Sequence, residues 1–389
     1  MVNAESAIRK SKAKFAGQAV RSRRCYDKDR MFIAGIISIA LSWSLPAHGM
    51  ETDNFTGRAT GLKTLRESQG RLDEIVNEQL DVASHSSVWS SGCDEKALFE
   101  KIRLNLNRNP IGEIERLAEF DDAVPKHHVD FSDTIYGKLH TSLVKHFKPQ
   151  MQDAFLLGHV IMPSMKISGQ IVGTDKLGHF FAQGYEYFQR KDWKEAQSVG
   201  EALEQGRYGL GISGVYSYGD LNANFQGMLF WRSILGGSNP YFECKDGSYK
   251  KRRDFHWSDY VSAAWDEGLN CSTYLNKEWQ DGIDAALKER GLTCPVDPEV
   301  CKELVAKPCA YYLVTPKCFE IAGVARVPGD LACTAYLKEA HLDVRCGPEH
   351  TRMNTINENV DEGVGTVVNT PLFVIHKWLS TIWDSGDAR

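Results

Sequence analysis

The run Gly173-Thr174-Asp175-Lys176-Leu177-Gly178-His179-Phe180-Phe181-Ala182-Gln183-Gly184-Tyr185-Glu186 places two acids and an imidazole at helical spacing. At about 100° per residue, Asp175, His179 and Glu186 fall within roughly 40° of one another, with small Ala182 between them. Two carboxylates and an imidazole on one helical face can hold a divalent metal or divide acid and base roles. Leu177, Phe180, Phe181, Tyr185 and Phe188 take the other side, so a plain amphipathic helix with a solvated polar stripe accounts for the same pattern.

Further acids follow. Glu201 and Glu204 sit on the next helical stretch, and Asp220, Asn224 and Gly227 form a row at spacings of four and three. Glu186 with either Glu204 or Asp220 would supply the carboxyl pair of a glycoside hydrolase. The expected catalytic set is therefore Asp175, His179, Glu186, Glu204 and Asp220, and the expected metal set is Asp175, His179 and Glu186. Asp220 also reads as the N-cap of the helix that it opens. The loop from Gly206 to Gly219 interleaves Tyr208, Tyr216 and Tyr218 with five glycines. It either accepts a sugar ring or a peptide, or simply turns the chain. Within it, Gly209, Gly211 and Gly214 match the bare dinucleotide spacing, but a Glu-rich helix precedes them where a buried strand is needed, so no nucleotide is expected. His256, Asp266 and Glu267 could complete a metal site, or belong to a helix ended by Gly268-Leu269-Asn270 and stapled by Cys271. A serine nucleophile elbow, His-Glu-x-x-His and a P-loop are all missing from the sequence.

Asp175-Lys176-Leu177-Gly178-His179-Phe180 resembles the Asp-Lys-x-x-His-Phe helix signature of VanZ-like proteins and of small bacterial envelope lipoproteins. The likeness covers about a dozen residues. It implies envelope association and a purposeful Asp175/His179 pair, and it supplies no reaction. The several membrane spans of VanZ-like proteins have no counterpart here.

The elements that must position these groups are helical. Apolar periodicity predicts helices over 60–83, 95–107, 111–120, 134–147, 192–205, 220–234, 258–267, 276–290, 299–306 and 330–341. Two β-compatible runs around Asp246-Gly247 predict a small hairpin. The fold class expected is mainly α: a multi-helix globular domain with a small β-hairpin and a C-terminal disulfide-rich helical segment. Composition divides the chain into a targeting segment (1–49), a helical core domain with the candidate site (50–290), a cysteine-rich module (291–346), and a polar linker with a final apolar helix (347–389).

Residues 1–50 carry nine Lys/Arg against three Asp/Glu, leaving 37 basic and 48 acidic side chains in the remainder, a net charge of −11 there. That balance repels a phosphate backbone, so nucleic acid is not an expected partner. The basic segment runs into the short apolar stretch 32–43 and then Pro46-Ala47-His48-Gly49, the order of a secretory signal with a mature start near Met50, the alternative being a retained membrane anchor. Ser22-Arg23-Arg24 also resembles a twin-arginine signal, although Asp27 departs from that motif. Nine cysteines follow, and six of them (Cys294, Cys301, Cys309, Cys318, Cys333, Cys346) lack zinc-knuckle spacing, so disulfides are expected. Cys244 with Cys271, and a free Cys93, are the expected arrangement of the other three. The stretch Pro371–Trp383 is too short to span a bilayer and either lies on a membrane surface or docks on the protein. Together these features predict a periplasmic or secreted cell-envelope hydrolase, acting on a peptidoglycan-like glycan or peptide, with an envelope polymer or lipid surface as partner. The alternative is a non-catalytic, disulfide-stabilised envelope protein that binds a partner.

Overall fold

A computed structural model describes residues 51–85, 92–107, 112–137, 139, 161–190, 192–206, 209–211, 213–327 and 331–339. The expected leader, Tyr208, Cys346, the apolar stretch 371–383 and most of the helix expected over 134–147 lie outside them. Among the described residues the chain is mainly helical, with three small antiparallel sheets.

The helix expected over 60–83 is two, α1 (Gly61–Thr64) and α2 (Gln69–Ser84). The break has a cause: Leu65 turns extended, and Ser68 donates its N–H to Lys166 O at 2.8 Å and its hydroxyl to Pro125 O at 2.5 Å. α2 buries Leu72, Ile75, Val76 and Leu80 and packs on α3 (Glu95–Leu106), which buries Leu98, Phe99, Ile102 and Leu106. Asp94 caps α3 by accepting from Ala97 N–H. α4 (Glu113–Phe120) follows.

β1 (Lys126–His127), β2 (Ser164–Ile167) and β3 (Gln170–Gly173) make an antiparallel sheet in that order. Periodicity predicts no sheet here, because four-residue strands alternate too briefly to register. The turn Ser168-Gly169, with both φ angles positive, is its local signal. β3 runs directly into Asp175–Gly178, His179–Gln183 and Gly184–Phe188, one continuous helix, α5, with a π-turn at its centre.

α6 (Trp193–Gln205), β4 (Val215–Tyr216) and α7 (Tyr218–Ser233) come next. Every residue of α7 except Gln226 and Ser233 is buried. A helix covered on all sides is the core of the fold rather than an amphipathic edge. α5 and α7 cross through two glycines: a Cβ on Gly184 would lie 2.6 Å from Gly227 Cα, and a Cβ on Gly227 would lie 1.9 Å from Phe180 O. Only hydrogen fits between them, so the backbones touch and the polar rows of both helices come within hydrogen-bonding reach. Phe180 anchors the crossing, its ring 4.8–6.0 Å from those of Phe181, Phe230, Phe255, Trp257, Tyr260 and Trp265.

The expected hairpin is present as β5 (Phe242–Lys245) and β6 (Ser248–Lys251), turning at Asp246-Gly247. The helix expected over 258–267 is instead two 3₁₀ turns, Trp257–Asp259 and Ala263–Trp265, which tuck both tryptophans into the core. Asp266 then extends. β7 (Thr273–Tyr274) pairs with β4, and α8 (Lys277–Glu289) starts on an Asn276 cap. α9 (Val300–Val305), α10 (Ala310–Leu313), α11 (Pro316–Ala322) and α12 (Leu331–Glu339) form the C-terminal helical segment.

Among the described residues four disulfides close the structure: Cys93–Cys244, Cys271–Cys294, Cys301–Cys318 and Cys309–Cys333. They correct two expectations. Cys244 joins Cys93 rather than Cys271, because the β5–β6 hairpin folds back beside α2 and the start of α3 instead of toward its sequence neighbour. Cys93 is accordingly bonded. Cys271–Cys294 crosses the boundary expected near 291.

Candidate functional site

The centre of the site is an amino group. Lys176, on the first turn of α5, is fully buried, and its Nζ lies 2.7 Å from Asp175 Oδ2, 2.6 Å from Asp220 Oδ1 and 2.6 Å from Glu267 Oε1. An ammonium has three N–H donors, and here each meets a carboxylate from a different part of the chain. Gly219 leaves room for the stem, since a Cβ there would sit 3.0 Å from Lys176 Cε. Burial opposes the lysine's charge, yet Asp175, Asp220 and Glu267 outweigh it and hold the pKa well above the ordinary lysine range.

His179 stands one turn further along α5. Its Nδ1 is 3.1 Å from Asn224 Oδ1, and its Nε2 is 3.3 Å from Asp220 Oδ2, both acceptors from α7. The amide of Asn224 is oriented by Tyr187, whose hydroxyl accepts from Asn224 Nδ2 at 3.4 Å. Asp220 thus bridges the lysine and the histidine through its two oxygens.

Ser217 fastens the remaining acids. Its N–H donates to Glu204 Oε2 at 3.3 Å, its hydroxyl donates to Glu267 Oε1 at 2.7 Å, and the same hydroxyl accepts from Asp220 N–H at 3.1 Å. Ser217, not Asp220, is therefore the N-cap of α7. That leaves the Asp220 carboxylate free to face Lys176 and His179. At the other edge, Thr52 donates its hydroxyl to Asp175 Oδ1 at 2.9 Å, and Ser213 hydrogen-bonds Glu51.

Five carboxyl groups thus surround one ammonium and one imidazole. Burial, reinforced by neighbouring acids, raises Glu51 and Glu204 well above the usual carboxyl range. Burial also pushes Glu267 up to about 7, with Lys176 opposing the rise. Burial works against ionisation of Asp220 too, but His179, Lys176 and Ser217 together hold its carboxyl below the ordinary value. Glu115 on α4 is a further buried acid, raised by burial and then by Asp175.

Of the residues expected from sequence, Asp175, His179, Glu204 and Asp220 meet in this cluster, and Glu186 does not. Glu186 is exposed. The reason is the π-turn at His179–Gln183: it takes in one residue more than an α-turn, displacing everything beyond it by about one position, roughly 100° around the helix. The trio His256, Asp266 and Glu267 is also dispersed. His256 is exposed beside Asp73, Asp266 pairs with Arg58, and only Glu267 reaches the cluster. Extended backbone at Asp266 sends neighbouring side chains to opposite sides. In the loop 206–219, backbone packs tightly, with a Cβ on Gly209 only 2.1 Å from Glu204 O, and Val215–Tyr216 is a strand.

Lys176, Glu51, Thr52 and Ser217 were outside the sequence-derived set. Lys176 carries a local signal, as a charge set directly between Asp175 and apolar Leu177. Glu51, Thr52 and Ser217 are placed by tertiary contact alone. Two groups of three donors lie with ligand atoms within 4.8 Å of one another: Asp175, Asp220 and Glu267, and His179, Glu204 and Asp220. Lys176 Nζ already sits among the first group. Comparison of the chain with family models, curated proteins and solved structures gave no match.

Proposed function

We propose that the chain is an exported cell-envelope hydrolase that cleaves a peptidoglycan-like glycan or peptide by acid–base chemistry at the Lys176–Asp220–His179 centre. The observation that carries the reading is His179 fixed between Asn224 and Asp220 while Lys176 braces the same aspartate. An imidazole held on both nitrogens beside a braced carboxylate is how proteins keep a proton at one defined atom. Glu267, with a carboxyl near neutrality, is suited to pass a proton in either direction. Asp175, His179 and Asp220 keep 5–7 % exposure and mark the edge at which substrate would enter. Four disulfides support maturation in an oxidising compartment, and the Asp-Lys-x-x-His-Phe resemblance supports envelope association. No helix among the described residues is long and apolar enough to cross a membrane.

The test is release of reducing ends or free amino groups from purified peptidoglycan by the disulfide-intact mature protein. Wild type is expected to release them, and His179→Ala and Glu267→Gln are expected to lose the activity with their near-ultraviolet dichroism intact. Product release by both variants at the wild-type rate, or none by wild type, would overturn the reading. The second reading, a non-catalytic envelope protein, is favoured by the complete burial of Lys176 and near-complete burial of Glu204 and Glu267. It expects the same two variants to lose stability and no hydrolysis by any form.

A further inference from the structure

We propose that His179, Glu204 and Asp220 bind one divalent transition-metal cation of the zinc type. The site shares Asp220 with the ammonium-filled group beside it and stands whether or not the protein is a hydrolase.

Three observations lead there. First, both nitrogens of His179 face oxygen acceptors: Nδ1 faces Asn224 Oδ1, and Nε2 faces Asp220 Oδ2. A neutral imidazole has one N–H and one lone pair. In the neutral form with its N–H directed to Asn224, the Nε2 lone pair faces Asp220 Oδ2, and a cation between the two would take the place of the proton that an imidazolium shares with that carboxylate. Second, Glu267 Oε2 and Glu51 Oε2 are buried without hydrogen-bond partners among the described residues. Glu267 is itself 1 % exposed, and its other oxygen, Oε1, is tied through Ser217 to Glu204 and Asp220. Buried acceptors of this kind cost free energy unless something positive answers them. Third, each donor has its own orienting partner. Asn224 holds His179, the Ser217 N–H holds Glu204, and Lys176 holds Asp220. Outer partners that fix imidazole and carboxylate orientation are the regular accompaniment of metal ligands.

The donor set selects the ion. One imidazole nitrogen and two carboxylates neutralise a divalent charge and suit zinc, while calcium and magnesium prefer oxygen alone. The ammonium of Lys176 answers Asp175, Asp220 and Glu267, whereas Glu204 accepts from the Ser217 backbone N–H.

The experiment uses the mature protein with its disulfides intact, stripped with a chelator and titrated with Zn²⁺, with Ca²⁺ in parallel. Expected are one equivalent of zinc per chain by calorimetry and elemental analysis, and a rise in unfolding temperature that calcium does not reproduce. His179→Asn and Glu204→Gln are expected to weaken zinc binding by at least about 100-fold, and Asn224→Ala, acting through His179, by about 10–100-fold. Should those variants not fold, ring-nitrogen NMR of the wild type decides: zinc must move the Nε2 resonance of His179 and leave that of exposed His85 in place. Zinc binding unchanged by the substitutions, a metal-induced shift at His85 instead of His179, equal stabilisation by calcium, or no bound zinc would each overturn the site. Absence of hydrolysis by the wild type with zinc binding intact would sink the enzyme reading and leave the cation site standing.

Discussion

Replacing Lys176 by Met keeps most of the apolar stem and removes the charge. The side chain is fully buried, and its Nζ answers Asp175, Asp220 and Glu267 at 2.6–2.7 Å, so the variant leaves three acids in the core without their shared counter-ion. Breaking a buried pair in this way costs about 3–5 kcal/mol, and three partners place this case at the upper end. That is a large part of the 5–15 kcal/mol that typically holds a domain together. The loss carries a pH signature. In the wild type, Lys176 has a raised pKa, so its stabilisation is full at neutral pH and is lost only as pH rises through that raised value. In the variant Glu267, already pushed up to about 7 against the opposing charge of Lys176, loses that opposition, so the penalty of ionising it is greatest at alkaline pH and shrinks as it takes up a proton. Guanidinium unfolding of both proteins, disulfides intact, at about pH 8 and about pH 5 measures this. The deficit should be larger at the higher pH by at least about 1 kcal/mol. A loss below about 1 kcal/mol, or one equal at both pH values, would show that the ammonium is not what holds these acids in the core.

Gly227→Ala should destabilise by about 1–3 kcal/mol or prevent folding, because its Cβ would meet Phe180 O, a backbone atom that cannot swing aside; thermal unfolding checks it. Removing Cys93–Cys244, whose partners are separated by 151 positions in sequence, should cost more than removing Cys271–Cys294, separated by 23. The chain-entropy account gives about 5 against about 3.4 kcal/mol, a ranking that denaturation of the paired Ser variants can reverse. Glu267 holds its proton up to about 7 in the folded chain against an ordinary value of 4.5. Its contribution to stability therefore falls as pH rises through that window, and Glu267→Gln should flatten the stability–pH curve there. An unchanged slope would remove Glu267 from the titrating groups of the core.

The helices that carry continuous apolar stripes, such as α3 and α8, are legible in sequence because local pattern and tertiary burial agree, and their Asp94 and Asn276 caps mark their starts. Asp175 and His179 are legible for a related reason, being one α-helical turn apart on a single element. Glu186 is misplaced by that logic because the π-turn between it and His179 is a tertiary adjustment with no residue signature at this position. Residues 258–267 mislead in the same way: their spacing suits a helix, but the chain forms two separate turns that carry Trp257 and Trp265 fully buried into the core. Glu51, Thr52 and Ser217 come from segments far apart in the chain, and nothing local distinguishes them from ordinary loop residues.

The order of the cysteines has a consequence for how the molecule is made. Read from the N-terminus, Cys93 and Cys244 are neighbours among the cysteines of the described residues, and so are Cys271 and Cys294. A chain that oxidises each thiol with the next to emerge would close these two bridges correctly. The last four interleave: Cys301 must pass over Cys309 to reach Cys318, and Cys309 must pass over Cys318 to reach Cys333. Neighbour-first oxidation would trap both in wrong rings, which only a thiolate attacking a formed disulfide can undo. Correct closure near the C-terminus therefore depends on α9 to α12 packing before their thiols are spent, or on a catalyst of thiol exchange, while the helices around Lys176 can lock without either.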